Sequence, residues 1–152
     1  KMQNIAIASK KSVPISMKNS VEISSFIKGK TTEKAKNLLK RVLEKKVAVP
    51  FKRYRHDISH KKGNISAGKY PIATTKYFLE LIEDVEANAK QKGMVQPYKI
   101  IYLCANKGPK TWHYGRMRRI TAKRTHLEIK VREIKNQQQK EPIKKTETKQ
   151  QK

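Results

Sequence analysis

Three stretches of this 152-residue chain hold side chains at spacings that chemistry uses. "HDISH" sets His56 and His60 four residues apart, the offset that places two imidazoles on one helix face for zinc. "GNISAGKY" at 63–70 fits G-x-x-x-x-G-K, the loop whose amides and lysine cradle phosphates. Glu80, Glu83, Asp84 and Glu86 crowd one segment, where carboxylates in pairs could act as acid and base. Each fails on its context. Lys61 and Lys62 follow His60 and disfavour a bound metal cation, so phosphate contact or solvent exposure is the better reading of both histidines. Tyr70 stands where the phosphate loop needs Ser or Thr for magnesium, no apolar strand precedes it, and Pro71 follows. The four acids recur at i, i+3 and i+4, as on a solvated helix face, and no G-x-S-x-G elbow occurs. No catalytic group, metal, cofactor or small-molecule substrate is therefore expected.

A fourth stretch does not fail. "NKGPKTWHYGRMRRITAKR" at 106–124 carries seven Lys or Arg, one His, two aromatics and no acid. As a solvated loop it would expose Trp112, Tyr114, Met117 and Ile120 among cations to no benefit. Aromatics interleaved with arginine can stack on bases while guanidiniums fork onto phosphates. The rest of the chain agrees. Lys and Arg number 37 against 12 Asp and Glu, a formal net charge of +25, whose self-repulsion costs stability until a polyanion relieves it. Nucleic acid is the expected partner, because each neutralised phosphate releases condensed counterions. RNA is preferred to duplex DNA, since no recognition-helix arrangement is present and irregular basic loops suit folded RNA. No stretch approaches the roughly 20 apolar residues of a membrane span, and the amphipathic helix at 31–46, the one support for a membrane-surface binder, carries a Leu and Val stripe that closes an ordinary core, so no membrane partner is expected. Cys104 is the single cysteine. It excludes an internal disulfide, fits a reducing compartment, and in "YKIIYLCA" reads as a small buried hydrophobe.

The elements that must position the finger follow from periodicity. Residues 1–18 lack a sustained period and read as a basic arm that orders against a partner. Asn19 and Glu22 have capping-box spacing, ahead of a short helix with Ile23, Phe26 and Ile27 inward and Gly29 as its stop. Thr31 or Thr32 caps a second helix with Ala35, Leu38, Leu39, Val42 and Leu43 on one face. Residues 49–70 form a long basic loop. After Pro71 comes a helix with Phe78, Leu81, Ile82, Val85 and Ala89 on one face, closed by Gly93, its acids turned away from the polyanion. "YKIIYLCA" at 98–105 is β-rich, and "THLEIKVREI" at 125–134 alternates strictly. These two strands pair antiparallel with the finger as their extension, and the stretch of about a dozen residues from Ile100 to the tip reaches roughly 40 Å at strand rise. The Gln- and Lys-rich stretch from 136 to 152 reads as a disordered polar tail. The organisation is thus an arm, one domain over 19–135 that includes the hairpin at 98–134, and a tail.

Five motifs occur in order: "VPFKRY" at 49–54, "AGKYP" at 67–71, "VEANAKQKG" at 85–93, "NKGPK" at 106–110 and "KRTHLEIKVREI" at 123–134, with "SVEISSFIKGK" at 20–30 a weaker sixth. Through them the chain, from Val13 to Ile134, resembles the universal large-subunit ribosomal protein L-twenty-two family, called L-seventeen in eukaryotes, in its archaeal and eukaryotic form. The resemblance implies an α+β fold, with helices packed on a small three-stranded antiparallel sheet from which a long β-hairpin protrudes. It implies a structural constituent of the large ribosomal subunit, in the cytoplasm, that binds ribosomal RNA and neighbouring ribosomal proteins. Its hairpin would line the polypeptide exit tunnel, with the nascent polypeptide as a partner at the tip. Carried over, the RNA-contacting residues are Lys52, Arg53, Arg55, Lys107, Lys110, Arg116, Arg118, Arg119, Lys123 and Arg124. The residues' own chemistry adds His56, Lys69, Trp112, His113 and Tyr114. Between Gly108-Pro109 and Gly115-Arg116 the chain is several residues shorter than the family pattern, and the basic Pro-Arg-Ala stretch is missing. Composition alone also fits a free-standing RNA-binding assembly factor or chaperone, and the order of the motifs favours the ribosome.

Overall fold

The computed structural model describes residues 4–55, 57–117 and 119–134, without the side chain of Met117. Its frame is a three-stranded antiparallel sheet in the order β1-β7-β4, with β1 at Ile5–Val13, β4 at Tyr98–Lys107 and β7 at Thr125–Glu133. The middle strand is the one whose alternation is strictest. Leu127, Ile129 and Val131 are buried, and the residues between them face outward. Three helices, α1 at Met17–Ile27, α2 at Thr32–Leu43 and α3 at Ile72–Gln91, bury their apolar stripes in one core with the sheet. Each fully buried Leu, Ile or Phe there contributes about 2 kcal/mol. β2 (Val49–Pro50) and β3 (Gly68–Lys69) close the base of the long basic loop with a two-residue ladder, and Phe51 and Ala67 anchor it in the core.

Helix ends follow local chemistry. Thr31 caps α2, its hydroxyl accepting from the Lys34 amide. At the end of α3 the Gly93 amide donates to Lys90 and the Met94 amide to Ala89, with Gly93 at φ +68. That is the paired 5→2 and 6→1 termination in which a left-handed residue avoids the Cβ penalty. The free edges of the sheet are partly covered. On β1, Asn88 of α3 and Lys92 just past its end donate to the Ile7 and Ile5 carbonyls. On β4, the turn between α1 and α2 exchanges bonds with Ile100 through Gly29 and Lys30.

Three expectations are corrected. Residues 5–13, read as part of an arm without structure of its own, form β1 and pair with β7. Ser16, rather than Asn19, is the N-cap of α1. Asn19 lies inside the helix, and Glu22 turns to the 52–54 backbone instead of back to the helix start. Cys104 is half-buried rather than core. A bulge between Ile100 and Tyr102 sends both Ile101 and Tyr102 outward, and the shifted alternation then turns Leu103 inward and Cys104 out. The polar tail at 136–152 lies outside the described residues.

Candidate nucleic-acid interface

The β4–β7 ladder runs up to the pair Lys107 and Thr125, where the finger begins. There the Gly108 amide donates to the Arg124 carbonyl at 2.8 Å. A Cβ on Gly108 would lie 2.9 Å from the Arg124 backbone carbon, so the two strands meet too closely for any side chain. Pro109 has no N–H to continue the ladder. Pairing resumes in β5 (Thr111–Trp112) and β6 (Thr121–Ala122), and the His113 amide donates to Ile120. A short 3-10 turn at Gly115–Met117 forms part of the tip. The loop between the strands is therefore a continued hairpin, as expected.

What the finger displays is the reverse of a core. Trp112 is 67% exposed, Tyr114 93% and Ile120 54%. Lys107, Lys110, His113, Arg116, Arg119 and Lys123 are exposed as well. None of them enters an ion pair among the described residues. Arg124 differs, being half-buried. Its guanidinium donates to the Ser12 carbonyl at 3.1 Å, while the His126 Nδ1 accepts from the Ser12 amide. Ser12 sits in a β1 bulge at φ +55, and the side chains of Arg124, just before β7, and His126, within it, bond the backbone groups there. Arg124 thus fixes the root of the finger through at least one of its donors.

A second cationic segment sits at the finger's base. Glu22 of α1, only 2% exposed, accepts the amides of Arg53 and Tyr54 at 2.8 Å each and of Lys52 at 3.2 Å. A buried carboxylate costs several kcal/mol to desolvate unless it is hydrogen-bonded, and three successive amides supply those bonds. With the backbone drawn inward, Lys52, Arg53 and Arg55 stand exposed. Tyr54, half-buried, has the Arg53 guanidinium 5.6 Å and the Lys18 ammonium 5.9 Å from its ring centroid. Tyr54, Arg55 and Lys18 share a groove with Lys107, Lys110, Lys123 and Arg124.

Of the residues expected at the interface, Arg55, Lys107, Lys110, Lys123 and Arg124 are brought together in that groove. Trp112, His113, Tyr114, Arg116 and Arg119 follow along the finger, and Lys52 and Arg53 flank the groove on the loop. Lys69 is not joined to them. It lies in β3 and lines a separate shallow pocket with Lys45 and Lys61. His56 and Arg118 lie outside the described residues. His60 is exposed and bridges to Ala67, off any helix, and no group of three potential metal ligands occurs among the described residues. Sequence reasoning missed Tyr54, Lys18 and Glu22. Tyr54 carried a signal, because it lies between Arg53 and Arg55 in the same aromatic-among-cations pattern that marked the finger.

The acids sit elsewhere. Lys10 of β1 bonds Glu80 at 2.7 Å and lies 3.4 Å from Asp84, and Lys36 of α2 bonds Glu86 at 2.6 Å. Burial works to lower the Lys10 pKa, but the hydrogen bond to Glu80 and the charges of Asp84 and Glu80 outweigh it and raise it above the ordinary lysine value.

A small α+β domain that projects an acid-free, cationic and aromatic finger has, as a class, the surface of a polyanion-binding protein. A model of the family described as "Ribosomal protein L22p/L17e" matches residues 8–132. The chain is 40% identical over 128 residues to the "Large ribosomal subunit protein uL22" of Picrophilus torridus, covering 80% of this chain and 84% of that protein. It is 39% identical over 132 residues to the protein of the same name from Ignicoccus hospitalis, covering 80% and 83%. With that of Nanoarchaeum equitans the identity is 40% over 144 residues, covering 89% and 82%. The chain belongs to the L22p/L17e family of ribosomal proteins.

Proposed function

We propose that the finger and the 52–55 loop bind and organise ribosomal RNA, and that the hairpin lines the polypeptide exit tunnel with its tip toward the nascent chain. The chain itself is a structural, non-enzymatic constituent of the large ribosomal subunit in the cytoplasm, as its family is. One observation carries the RNA reading: the finger's cations have no carboxylate partner among the described residues, while its aromatics stand in solvent beside them. Phosphates supply the missing charge, and bases cover the exposed rings. Glu80, Asp84 and Glu86 engage Lys10 and Lys36 instead, which leaves the finger without internal competition for phosphate.

The test is sedimentation of extracts containing the tagged chain, beside its double variant Arg116→Ala with Arg119→Ala. The wild type should co-migrate with mature large subunits at one copy each. The variant should fold normally but incorporate less, and its binding to large-subunit RNA should lose about one unit of salt slope per phosphate contact removed. Undiminished incorporation refutes RNA anchoring of the finger. Presence only on immature particles favours an assembly factor. For the tunnel, a photoreactive residue at Tyr114 should cross-link to a stalled nascent chain, and its failure to do so refutes that placement.

A further inference from the structure

Between the 52–55 loop and the root of the finger runs a groove of about 540 Å³, lined by Lys18, Tyr54, Arg55, Lys110, Lys123 and Arg124 among others, with no carboxylate in its wall among the described residues. Grooves of this size hold small organic ligands. We propose that it is a seat for a single unpaired nucleotide of the RNA, with the base stacked on the Tyr54 ring and the flanking phosphates held by Arg55, Lys110 and Lys123. This rests on the RNA reading above and deepens it, since it names the form of RNA bound at this point and a stacking residue.

Four observations converge. The Tyr54 ring lines a groove otherwise rich in cations, which is the pairing of π-face and positive charge that single strands need and duplexes, with their bases already stacked, do not. The backbone that carries the ring is held before any ligand arrives, because Glu22 accepts the Lys52, Arg53 and Tyr54 amides from within the core. Little ordering is then left to oppose binding. Arg53 and Lys18 lie over the ring without a carboxylate partner among the described residues, so an arriving base exchanges one of these cation–π contacts for a stack and the displaced cation stays at hand for phosphate. Finally, the opposite wall is positioned independently, by the Gly108–Arg124 bond and by Arg124 on Ser12. An acidic peptide would satisfy the cations but would leave the ring without a planar partner.

The experiment measures binding of the full chain to in vitro transcribed large-subunit RNA across a range of salt, for wild type, Tyr54→Leu and Tyr54→Phe. Loss of one base stack should weaken Tyr54→Leu by about 5- to 150-fold with the salt slope unchanged, since no charge is removed. Tyr54→Phe keeps the π-face and should stay within about threefold of wild type. Both variants should melt like wild type, because Tyr54 is only half-buried. An unstructured oligonucleotide should displace the transcript from the wild type more effectively than poly-glutamate of equal charge. Unchanged affinity in Tyr54→Leu, a changed slope, an equal loss in Tyr54→Phe, or equal displacement by poly-glutamate each overturns the nucleotide seat. Absence of wild-type binding overturns the RNA reading as well, so the two failures are distinguishable.

Discussion

The sharpest prediction concerns Glu22, a buried carboxylate that sets the shape of the cationic loop at 52–55. It accepts three consecutive amides, two at 2.8 Å and one at 3.2 Å, from a site that is 2% exposed. Hydrogen bonds to a charged group are worth about 1.5–3 kcal/mol each. Part of that returns when Glu22→Ala frees the loop, because Lys52 and Arg53 are exposed and their amides can turn to water. A net loss of about 3 kcal/mol is expected, a large share of the roughly 5–15 kcal/mol that holds such a domain together. Glu22→Gln should cost less, about 1–2 kcal/mol, because its oxygen can keep the Arg53 and Tyr54 amides while its NH₂ opposes that of Lys52. Urea unfolding at neutral pH reads both, and a loss of 3 kcal/mol moves the midpoint by about 1–3 M. Amide exchange supplies the local check, since protection at residues 52–54 should collapse in Glu22→Ala. A stability change below about 0.5 kcal/mol with those amides still protected would refute the reasoning.

Two further perturbations test the frame. Gly108→Ala places a methyl 2.9 Å from the Arg124 backbone, which cannot swing aside as a side chain would, so the hairpin root should open. A cost of about 1–3 kcal/mol and faster exchange at the Gly108 and His113 amides are expected, and a wild-type melt would contradict the close approach. Tyr98 is buried and its hydroxyl donates to the Met94 carbonyl at 2.9 Å. Burial first, then the Glu86 and Glu133 charges, raise its phenol above the ordinary value of 10.0. Because the folded pKa exceeds the unfolded one, this stability is fully present below about pH 10 and is lost as pH climbs toward the folded value. Tyr98→Phe should therefore lose about 1 kcal/mol at pH 7 but decline less steeply in alkali, and parallel melting curves from pH 8 to 11 would exclude the linkage.

How much of this was legible depended on whether one period ran unbroken. The stripe Phe78, Leu81, Ile82, Val85 and Ala89 and the alternation of β7 could be read directly, because every inward position carries a large apolar group or lies beside one. β1 was missed for the opposite reason. Its inward positions are Ala6 and Ala8, its larger Ile7 points to solvent, and a bulge breaks the phase before Val13. A strand lying against α3 can be built on alanines, but such a pattern is faint in sequence. Cys104 was misplaced because one bulged residue inverts every facing beyond it. At the interface, charge and aromatic content were legible in 106–124, since those residues are consecutive. The groove was not, because its walls come from residues near 18, 54, 110 and 123, which only the closed sheet brings together.

The distribution of carboxylates then explains how a chain of net charge +25 folds around a finger that repels itself. Glu80, Asp84 and Glu86 on α3 reach Lys10 and Lys36, two lysines whose side chains are largely covered by packing. Glu22 is sunk beneath Lys52, Arg53 and Arg55, where it binds backbone and leaves the cationic heads unpaired among the described residues. Exposed pairs on the finger would have added at most about 1 kcal/mol each to stability. They would also have put a carboxylate where the proposed function places phosphate. Salt therefore acts on the two halves with opposite sign. It screens repulsion within the free chain over about 8 Å and favours the fold, and it weakens every phosphate contact proposed for the finger. The acids thus relieve repulsion beside the core and leave the finger unrelieved, which is the arrangement the proposed binding of a polyanion needs.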